Sequence, residues 1–258
     1  MSGVAEAYDR HVGRYGAQLA AELIHVAGLQ PGQRALDVGC GPGALTRALA
    51  DAVGAELVAA VDPSETFVAA CRSRVPGAEV LVGIGERLPF DDDSFDAVLA
   101  QLVVQLLDDR EAGVREMARV ARPGGVLAAC VWDSTRMPLL SAFWDAAADV
   151  APERTAQLDE GRQVGYPSPD ELERLWSVAG LANVRAGDVT VHARYEDLDD
   201  LMAPFAAGVG HSGACFSALD DARRRRLRNR VHERLGRADG PFTLTARAWW
   251  VRGEVRDG

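Results

Sequence analysis

The sequence predicts an α/β protein in which a mostly parallel, seven-stranded sheet carries helices on both faces. Two observations lead to this fold class. Short apolar runs that end in turn residues alternate with segments whose apolar residues recur at helical spacing. The chain has 258 residues, of which 48% are hydrophobic and 26% charged, so we expect one sizeable domain over residues 1–258.

The first half of the chain supplies five of the predicted strands. They are the short apolar runs at 34–38, 56–61, 79–83, 95–100 and 124–132. Helices are predicted over 43–53, 64–75 and 109–121, where apolar residues have helical spacing. Each crossover between parallel strands must be right-handed to pack back on the sheet.

The regular alternation ends after Trp132. Two helical insertions, 133–180 and 196–240, are predicted on either side of a strand over 183–195. The last strand, 241–253, has no crossover helix after it and is expected to be antiparallel. In the first insertion a helix should begin after Ser168 with a capping-box pattern. Added helices at the open end of a sheet often bind substrate, so specificity is expected in these insertions.

The charge of the chain disfavours several partners. The formal net charge of −10 argues against binding to nucleic acid or to an anionic membrane surface. The arginine-rich run at 223–230 follows two aspartates in a helix-like segment, which favours a solvated helix face over an anion site.

Cysteine usage and hydropathy indicate a cytoplasmic protein. The four cysteines are widely spaced with no C-x-x-C pair, so we predict no metal site and no disulfide framework. The N-terminus lacks the apolar core of a signal peptide. The most apolar internal run, 97–107, is too short to span a bilayer.

A glycine-rich turn joins the first predicted strand to its helix in RALDVGCGPGALTRALA, residues 34–50. Glycines permit a tight turn, and free N–H groups at a helix start favour anionic or polar ligands. GCGPGA also fits a dinucleotide-binding pattern, so an NAD(P)-dependent oxidoreductase is one alternative. Asp37 would face a pyrophosphate unfavourably but suits a ligand with an ammonium and a sulfonium. Asp62, which ends the second strand, can bind ribose hydroxyls in either case.

Four blocks resemble the class I S-adenosylmethionine-dependent methyltransferases of the small-molecule type. They are DVGCGPG, VDPSE, GERLPFDDDSFDAVLAQ and REMARVARPGGVL, which fall within residues 34–132 in the family's order and spacing. The resemblance implies a Rossmann-like fold, S-adenosyl-L-methionine as cofactor and S-adenosyl-L-homocysteine as product. It implies methyl transfer to a small-molecule acceptor by direct in-line displacement, in which alignment is the protein's main task. A non-catalytic, cofactor-binding regulatory domain is the second alternative, because this reaction needs no diagnostic catalytic triad.

The resemblance also implies a set of cofactor-binding residues: Asp37, Gly39, Cys40, Gly41, Asp62, Pro63, Gly85, Glu86, Gln101 and Leu102. Asp37, Gly39 and Gly41 would surround the methionine moiety, with Cys40 as a small filler. Asp62 would hold the ribose hydroxyls, and Gly85 and Glu86 would flank the adenine. Many members carry an aspartate where this chain has Ile84, so the hydrogen bond to the adenine amino group depends on whether Glu86 replaces it.

The sequence motifs say less about which residues bind the methyl acceptor. His11 and His211 are the candidates for a general base, which such a transfer uses only with some acceptors. Residues 1–30 are expected to form an N-terminal helical lid, in which Tyr8 and Tyr15 either close over the cofactor or pack in the core. Trp132 is either an acceptor-pocket wall or core, and the two insertions would form an acceptor-binding cap. A monomer and a homodimer both remain open.

Overall fold

The computed structural model of the protein describes residues 2–159, 165–236 and 240–256. Its single sheet contains β1 Ala35–Val38, β2 Val58–Asp62, β3 Glu79–Val82, β4 Phe95–Gln101, β5 Ala121–Trp132, β6 Ala182–Tyr195 and β7 Phe242–Glu254. The strand order is β3-β2-β1-β4-β5-β7-β6. Strands β1 to β5 pair in parallel, whereas β7 is antiparallel to both β5 and β6. The predicted seven-stranded, mostly parallel fold with an antiparallel last strand is confirmed.

Helices cover both faces of this sheet. They are α1 Ser2–Arg10, α2 Gly16–Ala27, α3 Ala44–Val53, α4 Glu65–Arg74, α5 Arg110–Val120, α6 Pro138–Val150, α7 Pro152–Leu158, α8 Pro169–Val178, α9 Leu198–Ala206, α10 Gly210–Ser217 and α11 Asp221–Arg234. Side chains of β4 alternate between two cores: Ala97 and Leu99 pack toward α2 and α3, and Val98 and Ala100 pack toward α5. Burial on both faces explains why the parallel strands are nearly continuous apolar runs.

The first predicted insertion, 133–180, does not form a single structural unit, because its last helix, α8, packs on the sheet. Helix α8 begins with the predicted capping box, in which Ser168 accepts from the N–H of Glu171 and the Glu171 carboxylate accepts from the N–H of Ser168. Its apolar side chains Leu172, Leu175 and Trp176 are buried in the same core as α5. Helix α8 therefore belongs to the sheet's helix layer, and only the segments before it are available for the predicted cap.

The second insertion forms α9, α10 and α11, and α11 packs on α6. The arginine-rich face of α11 makes ion pairs with carboxylates around it: Arg228 with Asp199 at 2.7 Å and Arg234 with Asp149 at 3.0 Å. These exposed pairs agree with a solvated helix face. Residues 160–164 and 237–239 of the predicted insertions, and residues 1, 257 and 258 of the predicted domain, lie outside the described residues.

The N-terminal segment is two helices with a break between them, not one continuous helix. A 3₁₀ turn, Val12–Tyr15, separates α1 from α2. Chain segments approach closely at this break, since a Cβ on Gly13 would lie 2.9 Å from the carbonyl oxygen of Tyr8. Arg14 of the turn pairs with Asp200 of α9, and Asp9 of α1 pairs with Arg74 of α4 at 2.7 Å. Across the described ranges, no helix has the length and apolar character needed to cross a membrane.

Candidate active site

The sheet reverses its strand order between β1 and β4, and a crevice opens there at the carboxyl ends of the strands. This is where open α/β sheets bind ligands. We call its cavity, of about 460 Å³, the crevice cavity. Its described walls are Tyr8, Val38, Gly39, Gly41, Asp62, Pro63, Ser64, Phe67, Gly83, Ile84, Gly85, Glu86, Gln101, Leu102, Val103, Leu106, Leu107 and Asp108. A small adjoining space, the loop pocket, adds Asp37 and Cys40.

The glycine loop after β1 is fixed by its backbone. The N–H groups of Gly39 and Cys40 both donate to the carbonyl of Val61, at 2.8 and 2.9 Å. Gly39 has φ +72°, and a Cβ there would lie 2.4 Å from a methyl carbon of Val103. A residue other than glycine would therefore be strained and would collide with the segment after β4. The loop leaves backbone exposed at the crevice floor.

Asp62, at the end of β2, is held by two backbone donors. One carboxylate oxygen accepts from the N–H of Gly41 at 2.9 Å, and the other accepts from the N–H of Ser64 at 2.8 Å. Burial raises the pKa of Asp62, and these two hydrogen bonds oppose the rise. A carboxylate has about four lone-pair sites, so Asp62 keeps acceptor capacity for a pair of ligand hydroxyls.

Asp37 is fully buried, and only one of its two carboxylate oxygens has a hydrogen-bond partner. Its Oδ2 accepts from the hydroxyl of Thr46 at 2.6 Å, whereas its Oδ1 has no hydrogen-bond partner. Burial raises the pKa of Asp37 to about 7, with the Thr46 hydrogen bond opposing and the nearby Asp62 charge adding to the rise. An uncompensated carboxylate in this position favours a cationic ligand, because a positive charge would offset its desolvation.

Gln101, the last residue of β4, presents a second acceptor beside the loop pocket. Its Nε2 donates to the carbonyl of Gly16 at 3.2 Å, and its Oε1 is buried without a partner. Together with Asp37 it offers two unpaired oxygens. The ammonium of a methionine moiety is a donor of the kind these oxygens lack, so the residues fit the cofactor that the sequence implies.

Cys40 lies in the glycine loop as a buried thiol. Its Sγ is 3.5 Å from the carbonyl oxygen of Gly41. A hydrogen bond with Cys71, and then burial, raise the pKa of Cys40, so the thiol stays protonated. Cys40 packs in a buried cluster with Val68 and Cys71, and its role as a filler beside the cofactor stays a prediction. All four cysteines are buried free thiols.

Glu86 has a structural partner at the predicted adenine end. Its Oε1 accepts from the N–H of Asp108 at 2.8 Å and from that of Asp109 at 3.4 Å. Glu86 thereby fixes the segment that leads into α5, and one of its oxygens is engaged before any ligand arrives. Ile84 is 46% exposed at this rim. Asp108 itself faces the crevice cavity, although the sequence analysis did not single it out.

A second cavity of about 680 Å³, which we call the capped cavity, lies between α1 and the late helices. Its described walls are Ala7, Tyr8, His11, Val12, Phe67, Leu102, Gln105, Leu106, Trp132, Leu140, Tyr166, Ala207, Gly208, Val209, Gly210 and His211. Four of them, Tyr8, Phe67, Leu102 and Leu106, also line the crevice cavity. The two cavities therefore share a wall.

His11 and His211, the two candidate bases, both line the capped cavity but differ in environment. His11 is 5% exposed, and its ring contacts Phe205 edge-on at 5.0 Å between centroids. Burial lowers the pKa of His11 to about 4, so the imidazole is neutral at pH 7, and its Nδ1 has no hydrogen-bond partner. His211 is exposed at the start of α10. His11 is thus the better shielded of the two.

Leu102, directly after β4, stands at the junction of the two cavities with a strained backbone. Its φ is +63°, a conformation that costs a non-glycine residue about 1–3 kcal/mol. Two hydrogen bonds hold it there: its N–H donates to Cys130 O at 2.8 Å, and its carbonyl accepts from Nε2 of Gln105 at 2.7 Å. Strain of this kind concentrates at functional sites, where surrounding structure maintains it.

Comparison with known proteins places this geometry in a family. A family model described as a methyltransferase domain matches residues 36–129. A demethylmenaquinone methyltransferase of Corynebacterium urealyticum is 34% identical over 187 residues, which cover 66% of this chain and 79% of the relative. The chain belongs to the class I S-adenosylmethionine-dependent methyltransferases. The resemblance stated from the four sequence blocks is confirmed.

Solved structures agree with the fold of this methyltransferase. A chain of the Haloferax volcanii complex between a methyltransferase activator and a methyltransferase has a TM-score of 0.61 at 20% identity, covering 99% of this chain and 95% of that one. Haemonchus contortus phosphoethanolamine N-methyltransferase 2, solved with S-adenosyl-L-methionine, has a TM-score of 0.57 at 16% identity, covering 93% of this chain and 53% of that one. At these identities the similarity concerns the fold alone.

The methyltransferase brings most of the residues singled out from the sequence together. All ten predicted cofactor residues line the crevice cavity or the loop pocket. Tyr8 and Trp132 line the capped cavity, but Tyr15 does not: it is fully buried in the core, edge-on to Trp132 at 5.4 Å. Sequence reasoning missed Phe67 and Gln105. Gln105 did carry a signal, since it is a polar residue within an otherwise apolar run.

Proposed function

We propose that this methyltransferase binds S-adenosyl-L-methionine in the crevice cavity and methylates a small, largely apolar acceptor in the capped cavity by direct in-line displacement. The observation that supports the proposal most is the shared wall of Tyr8, Phe67, Leu102 and Leu106, because two ligands on its two sides would meet there. The mainly apolar lining suits an apolar acceptor. The Corynebacterium urealyticum relative's name, which specifies demethylmenaquinone, supports an acceptor of that character.

Several residues would hold the cofactor. When bound, it supplies a methyl group on a positively charged sulfur. Asp37 and Gln101 would accept from its ammonium, because both carry an unpaired buried oxygen. Asp62 would accept from the ribose hydroxyls, and Pro63 and Gly85 would lie beside the adenine. Glu86 acts in part through the segment that it fixes.

The remaining task of the protein is to orient the acceptor and exclude water, which together account for much of the rate in such reactions. His11 would accept a proton from acceptors that must lose one, because it is neutral, shielded and in the cavity wall. Residues 1–30 would act as the lid, with Tyr8 facing both cavities. The segments around Leu140 and 207–211 would act as the acceptor-binding cap.

The two alternative functions, an oxidoreductase and a non-catalytic domain, make different demands on the site from those of a methyltransferase. An NAD(P)-dependent oxidoreductase would place a pyrophosphate near the buried Asp37, where like charges repel. A non-catalytic regulatory domain would bind the cofactor without turnover. A cytoplasmic location, the absence of a metal and of nucleic-acid partners, and a monomeric or homodimeric state stay predictions.

Calorimetric titration with S-adenosyl-L-homocysteine, beside NADH under identical conditions, tests the proposal. We expect micromolar binding of the first alone, near −8 kcal/mol. Binding of NADH alone would overturn the cofactor assignment. Transfer of a labelled methyl group from the cofactor to any compound in a metabolite extract excludes the non-catalytic alternative, and repeated failure of transfer despite cofactor binding favours it.

A further inference from the structure

The N-terminal segment forms one wall of the loop pocket, where the methionine moiety is proposed to bind. The described pocket residues from this segment are Tyr8, Asp9, Val12, Gly13 and Gly16. The glycine loop contributes residues 39–42. The pocket has a volume of about 30 Å³, which is room for about two water molecules. The N-terminal segment must therefore move before a methionine moiety can enter.

Arg74, the last residue of α4, connects the N-terminal segment to the glycine loop. Its Nη2 lies 2.7 Å from Oδ2 of Asp9 in α1, and its Nη1 donates to the carbonyl of Pro42 in the loop at 3.3 Å. We call these two contacts the latch. They use different nitrogens, so one guanidinium makes both at once. The rings of Tyr8 and Phe67, edge-on at 5.6 Å between centroids, also connect α1 to α4.

The break Val12–Tyr15, at the other end of α1, is held by different contacts. The guanidinium of Arg14 donates to the carbonyl of Arg194 in β6 at 2.9 Å and pairs with Asp200 of α9. The side chain of Arg14 is 20% exposed, against 35% for Arg74, so the latch is the more hydrated and weaker of the two connections. Loss of the latch would therefore release α1 from the glycine loop while the break keeps its place.

We propose that Arg74 is a positioning residue that holds α1 over the glycine loop, so that the cofactor enters and leaves when the latch opens. The proposal rests on the proposed function, because it concerns how the cofactor reaches the loop pocket. The described linings of the loop pocket and of both cavities do not include Arg74. Arg74 therefore acts through Asp9 and Pro42, and it controls how long S-adenosyl-L-homocysteine stays bound after a reaction.

Exchange of bound, labelled S-adenosyl-L-homocysteine against an unlabelled excess tests the latch. Arg74→Met removes both contacts and should increase the dissociation rate about threefold to tenfold. The latch would close the pocket in the free and the bound protein alike, so association should accelerate too and affinity should change less than about twofold. Arg47→Met, at an exposed position of α3, is the matched control and should change neither rate. An unchanged dissociation rate in folded Arg74→Met, or weaker affinity with unchanged association, would overturn the proposal.

A second substitution tests whether Arg74 acts through Asp9. Asp9→Asn keeps the size of the side chain but removes its charge, and it should speed dissociation in the wild-type background and have no further effect in Arg74→Met. Additive effects would mean that Asp9 contacts the cofactor directly and would count against the latch. Arg74→Lys keeps a charge that can pair with Asp9, so it should restore part of the slow dissociation. If Arg74→Met does not fold, Asp9→Asn decides alone.

Hydrogen exchange of the backbone over residues 2–16 separates the latch from the function on which it rests. With no ligand added, this segment should exchange about threefold faster or more in Arg74→Met than in Arg47→Met, because α1 opens more often. Failure of the wild-type protein to bind S-adenosyl-L-homocysteine, with this difference intact, would overturn the proposed function alone. Equal exchange in the two variants would overturn the latch, whether or not S-adenosyl-L-homocysteine binds.

Discussion

The crevice cavity and the capped cavity share a wall but are built in different ways. The crevice cavity takes most of its walls from the ends of β1 to β4 and the turns that follow them. The capped cavity collects side chains from segments scattered between residues 7 and 211. Adjacent parallel strands bring the first set together by sheet geometry alone, whereas the second set depends on how separate helices pack.

The two cavities also differ in the charge of their polar groups. The crevice side presents the carboxylates of Asp37 and Asp62, which suit a cation and hydroxyls, and the capped cavity offers neutral polar atoms in an apolar lining. The crevice cavity is therefore suited to a cationic ligand with hydroxyl groups, and the capped cavity is suited to a neutral ligand. The following changes should separate the two, from the largest expected effect to the smallest.

Asp62→Ala should have the largest effect, and only on the crevice side. The variant loses the carboxylate that accepts from the N–H groups of Gly41 and Ser64, and with it the proposed hydrogen bonds to the ribose hydroxyls. We expect S-adenosyl-L-homocysteine to bind about 2–4 kcal/mol more weakly by calorimetry. Asp51→Ala, on the exposed face of α3, is the matched control. Unchanged affinity in a folded Asp62→Ala protein would show that this carboxylate does not contact the cofactor.

Gly39→Ala should destabilise the fold at the glycine loop of the crevice cavity. The new Cβ would collide with Val103 at 2.4 Å in a left-handed conformation. Gly32→Ala is a matched control, because Gly32 has φ +85° but nothing within 4 Å of its Cβ position. In urea unfolding, Gly39→Ala should cost about 1–3 kcal/mol more than Gly32→Ala. Equal losses would mean that Val103 moves aside freely.

Cofactor affinity should depend on pH through Asp37. Its pKa of about 7 in the unliganded protein means that the neutral acid, favoured by burial, ionises as the pH rises. The free protein therefore loses stability as the pH rises from about 4, where the group ionises in the unfolded chain, to about 7, and a bound ammonium recovers that loss. Affinity for S-adenosyl-L-homocysteine should increase about tenfold from pH 6 to pH 8. Asp37→Asn should remove the slope, and a slope that persists in this variant would assign the titration to another group.

The smallest effect is expected at Asp133, directly after β5. Asp133, 4% exposed, accepts from the guanidinium of Arg247 of β7 at 2.7 Å. Arg247→Ala should lower the free energy of unfolding by about 1 kcal/mol and leave affinity for S-adenosyl-L-homocysteine within about twofold. Arg194→Ala, which breaks an exposed pair with Glu196, should cost less than about 0.5 kcal/mol. A large loss of cofactor affinity in Arg247→Ala would show that the pair between Asp133 and Arg247 also supports the crevice cavity.

The sequence predicts the crevice side far better than the capped side. Asp37 lies one residue before the end of β1 and Asp62 ends the neighbouring parallel strand β2, so periodicity and strand order suffice to bring them together. The role of Glu86 could not be predicted in this way. Its carboxylate accepts from the N–H of Asp108, and this contact depends on how two loops approach each other, which the local sequence pattern does not determine.

Around the capped cavity, the packing of helices decides whether a side chain lies in the cavity wall or in the core, because the sequence pattern supports both placements equally. Tyr8 and Tyr15 fit a cavity wall or a core equally well by spacing, and the break at Val12–Tyr15 sends them to different places. The apolar pattern of helix α8 already indicates where this helix packs. Its buried stripe of Leu172, Leu175 and Trp176 is the pattern of a helix that packs on a sheet.

The position of β7 in the sheet has a consequence for the biosynthesis of this enzyme. It lies between β5 and β6, although it is the last of the seven strands to leave the ribosome. The parallel strands up to β5 can assemble while synthesis continues, but β6 has no neighbouring strand until β7 emerges. A chain truncated before residue 242 would expose two strand edges, on β5 and β6, and such edges promote aggregation. Premature termination should therefore yield an insoluble chain instead of a smaller working enzyme.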